Sequence, residues 1–72
     1  MYKVEKNEHE VVTIAELRAR KGKMSQEQLA IALGTTQTTV SMWEKDIMCI
    51  STPYLVKLCR FFGVPSSKLL GI

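Results

Sequence analysis

The sequence predicts an all-α domain of five short helices, and three observations carry that prediction. Apolar residues recur at helical spacing in five segments, each opened by a capping residue or a proline. Glycines at 22, 34 and 63 follow three of these segments and can take the left-handed conformation that ends a helix. The chain has 72 residues, enough for one modest core that short helices can share.

Each element has its own signals. Thr13 and Glu16 form a capping box for the first helix, in which Ile14, Leu17, Arg18 and Lys21 share a face and Gly22 is the stop. Ser25 and Gln28 form a second box, followed by Leu29, Ala30 and Leu33 on the inner face of the second helix. Ala30 is the small residue that lets two helices cross closely. After Gly34, Thr36 caps a third helix with Val40, Trp43 and Glu44 inward and Gln37, Thr38, Ser41 and Met42 outward. Asp46 to Ser51 reads as a loop. Thr52 and Pro53 then supply an N-cap and a first helical residue, and Leu55, Leu58, Cys59 and Phe62 define the inner face of the fourth helix. Pro65, Ser66 and Ser67 open a last short helix carrying Leu69 and Leu70. Residues 1–12 lack helical periodicity and read as a flexible or short extended N-terminal arm, with the folded domain over 13–72.

Arg18 and Glu44 both fall beside an apolar stripe, where an unpaired charge is costly. An ion pair tying the first helix to the third resolves both, and its role is structural. The stretch Gln26–Lys45 is thus two helices joined at Gly34, the pattern of a helix-turn-helix whose second helix enters the DNA major groove. A polar, nearly uncharged outer face suits base edges better than phosphates. The plainer reading of Gln37 and Thr38 is as surface polar residues on a short helix.

Composition narrows the classes. No apolar run approaches the roughly 20 residues of a membrane span, and no signal-peptide pattern opens the chain. Cys49 and Cys59 lack metal-ligand spacing and read as reduced thiols of a cytoplasmic protein, not as a disulfide or a metal site. The net charge is +3, and residues 13–72 hold eight basic against four acidic side chains, so the folded part is the basic part. Three glutamates in the arm argue against minor-groove insertion. Trp43 reads as core and His9 as a tail residue. There is no Ser/His/Asp set, no paired carboxylates, no phosphate-cradling glycine loop and no metal spacing, so an enzyme is not expected, nor a cofactor or small-molecule ligand.

The stretches IAELRARKG, SQEQLAIALG, GTTQTT, TVSMWEK and LVKLCRFFGVPSSKLLG resemble the Cro/C1-type (XRE) helix-turn-helix family, which includes the lambdoid phage repressors and Cro proteins. The resemblance runs from about Ile14 to Gly71 and implies a compact five-helix, lambda-repressor-like DNA-binding domain. It implies base reading by Gln37, Thr38, Ser41 and Met42, with Gln37 matching a glutamine that commonly contacts adenine. It implies phosphate contacts by Gln26, Thr36, Thr39 and Lys45, and Arg18 and Glu44 match a family ion pair.

The sequence also departs from the family. One residue is extra in Gly22-Lys23-Met24, and Met42 replaces a polar reader, which turns contact there toward a thymine methyl. Asp46 stands where glycine usually ends the recognition helix. The loop Ile47-Met48-Cys49-Ile50 lacks the Lys, Arg and Pro that relatives usually place there, where the basic side chains grip phosphate. With Tyr54 and Phe61, residues Ile47, Met48 and Ile50 form a candidate dimer or partner surface, or else a loop folded onto the core.

The function implied is a sequence-specific double-stranded DNA-binding transcriptional regulator of bacterial or phage type. It acts as a repressor and a homodimer on a pseudo-palindromic operator, its recognition helices about 34 Å apart. The competing expectation is a protein-interaction module of antitoxin or anti-regulator type that uses the apolar 47–50 loop.

Overall fold

The computed structural model describes residues 11–71. Among them five α-helices follow in order: α1 Ile14–Arg20, α2 Gln26–Leu33, α3 Gln37–Lys45, α4 Thr52–Phe62 and α5 Ser66–Leu70. A 3-10 turn at Ile47–Cys49 stands between α3 and α4, inside the segment expected as plain loop. The described residues contain no strand. Most of the expected arm lies outside them. Of its two described residues, Val12 is buried, and its N–H donates to the Lys68 carbonyl of α5 at 3.0 Å.

Both capping boxes are present. The Thr13 and Ser25 hydroxyls accept from the Glu16 and Gln28 N–H, and those side chains accept in return from the cap N–H. Each cap contributes about 1 kcal/mol, a useful share for helices of seven and eight residues. Thr36 caps α3 in the same way, its hydroxyl accepting from the Thr39 N–H at 3.2 Å.

Two boundaries differ from the sequence reading. Helix α1 ends at Arg20, two residues before Gly22, and Lys21 closes it with bonds to the Leu17 and Arg18 carbonyls. Gly22 (φ 75°) and Lys23 (φ 57°) then both turn left-handed, which brings the Met24 N–H back to the Arg18 carbonyl at 3.0 Å. A non-glycine residue in that conformation costs about 1 kcal/mol. That is how the chain accommodates the long α1–α2 connection. Helix α4 begins at Thr52 itself with Ser51 as N-cap, so Pro53 is its second residue, where its missing N–H still costs nothing.

Leu29, Val40 and Leu58 are fully buried at the centre, one each from α2, α3 and α4. Each contributes about 1.5–3 kcal/mol by leaving water. Val12, Ile14, Leu17, Leu33, Trp43 and Leu69 surround them, and Ala30 sits buried where α2 packs against α3. Leu55, Cys59 and Phe62, expected inside, are half-buried at the margin of this core.

Candidate nucleic-acid interface

Helix α3 presents the candidate reading face. Val40 and Trp43 point into the core, which turns Gln37, Thr38 and Met42 outward, with Met42 51% exposed. Ser41 is half-buried beside them. Lys45, at the last turn, is exposed and is the one charged side chain among the candidate contacts outside the ion pair.

Behind this face a polar network links α1, α2 and α3. Glu44 is its hub. Its Oε2 accepts from Arg18 Nε at 2.7 Å, and its Oε1 accepts from an Arg18 terminal nitrogen at 3.1 Å and from Gln26 Nε2 at 3.0 Å. A second Arg18 terminal nitrogen donates to the Met24 carbonyl at 2.8 Å. The arginine and carboxylate side chains are only 18% and 16% exposed, so the pair is partly desolvated and fork-to-fork.

The network reaches the reading face through the two glutamines. A carboxylate only accepts, so the Gln26 amide must turn its NH2 toward Glu44 and leave its oxygen outward. That oxygen accepts from Gln37 Nε2 at 3.4 Å, a long bond. Gln37 is therefore steered while keeping its own oxygen and a second N–H free, the donor–acceptor pair an adenine edge requires. Gln26, expected at a phosphate, is half-buried in this relay with one N–H left over. Thr36 and Thr39, also expected at phosphates, share a hydroxyl–hydroxyl bond of 2.9 Å across the first turn of α3.

The end of α3 explains Asp46. Its backbone is extended (φ −152°), so no glycine is needed there, and its Oδ1 accepts from the Met48 N–H at 3.1 Å to cap the 3-10 turn. That turn sends Ile47 and Ile50 against the core and leaves Met48 64% exposed. Tyr54 and Phe61, grouped with them from sequence, also pack on the core. Of the five candidate partner-surface residues, only Met48 stands fully outward.

Tyr54 does something the sequence did not signal. Its hydroxyl donates to the Gly34 carbonyl at 3.2 Å, and Lys57 Nζ donates to the Leu33 carbonyl at 3.4 Å. These are the last carbonyls of α2 and its turn, which have no partner within the helix. Trp43 stacks tilted on Tyr54 with centroids 5.4 Å apart. Helix α4 thereby clasps the turn between α2 and α3. Partners 20 and 24 residues away leave no local pattern from which to find them.

Both cysteines are free thiols. Burial pushes the Cys59 thiol pKa up, while Cys49 is exposed beside Asp46. Among the described residues there is no cluster of metal-ligating side chains, and no helix is long and apolar enough to cross a membrane.

Comparison with known proteins adds a family. No curated protein and no solved structure matches the chain. A family model described as Helix-turn-helix matches residues 14–69, from the start of α1 into α5. With most of the chain covered and the two central helices joined at a left-handed Gly34, the protein belongs to the Cro/C1-type helix-turn-helix family of DNA-binding regulators.

Proposed function

We propose that the protein is a sequence-specific double-stranded DNA-binding transcriptional repressor. Helix α3 enters the major groove, and Gln37, Thr38, Ser41 and Met42 meet base edges. The observation that carries this reading is the tether of Gln37 to Gln26 and Glu44, which orients an amide without consuming its base-pairing edge. Gln26, Thr36, Thr39 and Lys45 meet the phosphates on either side. Only Lys45 among these brings a full charge, and the 47–50 loop adds none, so specificity outweighs nonspecific grip. Two copies bind a pseudo-palindromic operator, associating near Met48, which is already exposed and apolar.

Selection from random genomic fragments followed by sequencing of the bound DNA tests this reading. The expected result is an enriched inverted repeat whose enrichment vanishes in Gln37→Ala. Enrichment and affinity untouched by that substitution would show that the reading face is wrongly assigned. The uncharged 47–50 loop favours one other reading, a protein-interaction module on the same fold. No DNA retained at low salt and micromolar protein would select it.

A further inference from the structure

A second surface is lined by none of the residues assigned to DNA. A cleft of about 400 Å³ opens between the end of α2 and α4, lined by Ala32, Leu33, Lys57, Arg60 and Phe61. A neighbouring cleft of about 280 Å³ is lined by Leu17, Arg20, Lys21, Phe62 and Val64. Lys21 Nζ sits 4.9 Å from the centroid of the Phe61 ring and so links the two. None of these lining residues belongs to α3.

Four cations, Arg20, Lys21, Lys57 and Arg60, line this apolar floor, and no carboxylate does. Among the described residues none of the four has a salt-bridge partner, since the salt bridge found there joins Arg18 to Glu44. Gathered like charges repel and raise the local positive potential, which an anionic occupant relieves.

We propose that these clefts form a docking surface for an acidic segment of a partner protein, anchored by an aliphatic side chain. The floor of Leu33 and Phe61 takes the anchor and the cationic rim pairs with flanking carboxylates. Nucleic acid fits less well. A base needs an open aromatic face to stack on, and one side of the Phe61 ring carries Lys21 Nζ at 4.9 Å while Phe62 packs against it at 5.1 Å.

The test titrates the full, isotope-labelled chain with a synthetic peptide of about 12 residues alternating Glu and Leu. Controls are the same peptide with Ser for Leu, the same with Lys for Glu, and a single-stranded oligonucleotide of matching charge. Saturable binding of the Glu/Leu peptide is expected, with amide shifts gathered at Ala32, Lys57, Arg60 and Phe61. The Ser and Lys controls should bind at least about tenfold more weakly. Ala32→Glu and Arg60→Glu, both at exposed sites, should each cost about tenfold in peptide affinity. Their thermal melts and their DNA affinity in a shift assay should stay near those of the parent protein.

Equal binding of the Glu/Ser peptide would reduce the surface to a counter-ion site and overturn the proposal. So would shifts centred on α3, or unchanged peptide affinity in both variants. Tighter binding of the oligonucleotide at these residues would assign the surface to nucleic acid instead.

Discussion

The outer face of α3 and the clefts around Phe61 use polar groups in opposite ways. The α3 face carries amide, hydroxyl and thioether groups with one cation at its end, and its key glutamine is wired into a hydrogen-bonded hub. The clefts carry four cations on an apolar floor and no carboxylate among their lining residues, with Lys57 held by one long bond to the Leu33 carbonyl. Reading a base edge needs donors and acceptors held at fixed angles, which a satisfied network supplies. Attracting a polyanion or an acidic segment needs charge, which can be mobile. On the two proposals made above, orientation and attraction fall on different sets of residues.

Substitutions can break this contrast. Glu44→Ala should have the largest effect, because it strips an acceptor from Arg18 and Gln26 together and leaves a partly desolvated guanidinium. A loss of about 2–3 kcal/mol in urea unfolding is expected. Arg60→Ala, in the clefts, should change stability by less than about 0.5 kcal/mol. Similar losses for the two would mean that the hub is no more organised than the clefts.

The next effect sharpens the contrast within the reading face. Gln37→Ala should lower discrimination between the selected operator and its single-base variants by about 1–3 kcal/mol. Nonspecific affinity in the same competition assay should hardly move. Tyr54→Phe removes the bond to the Gly34 carbonyl and should cost about 1 kcal/mol in thermal unfolding, reporting on the clasp from α4.

Two smaller effects remain. Lys45→Ala should reduce the slope of log affinity against log salt by about 1, whereas Arg60→Ala should leave that slope unchanged. An equal change in both would put the clefts on DNA. Thiol labelling of the native protein at neutral pH should modify the exposed Cys49 first. Cys59, with its thiol pKa raised by burial, should react mainly after denaturant is added. Equal labelling rates would show that the α4 margin opens readily.

Much of the fold was legible because it is written locally. The capping boxes at Thr13 and Ser25 and the cap at Thr36 bind across three residues, and Gly34 ends α2 at φ 77°. The Arg18–Glu44 pair spans 26 residues, yet helical position alone puts both charges beside apolar stripes that must face each other. The misplaced boundaries have local competitors. Lys21 could cap α1 before Gly22 was reached, and Ser51 displaced Thr52 because proline is tolerated through the first turn.

The apolar loop was the least legible element. Four uncharged residues can face a partner or fold inward, and composition is the same either way. The Asp46 cap and the 3-10 turn turned Ile47 and Ile50 inward and Met48 outward.

By itself, then, the sequence determined the helices, their caps, the turn at Gly34 and the outward set on α3, since each rests on residues within one or two turns of one another. Only the tertiary structure decided that the Gln26 amide bridges Glu44 to Gln37, that Tyr54 and Lys57 hold the turn, and that four cations line the two clefts beside Phe61 and Phe62. Those contacts join groups that lie on different helices and turns. Their geometry is set by how the shared core around Leu29, Val40 and Leu58 closes, which no local pattern encodes.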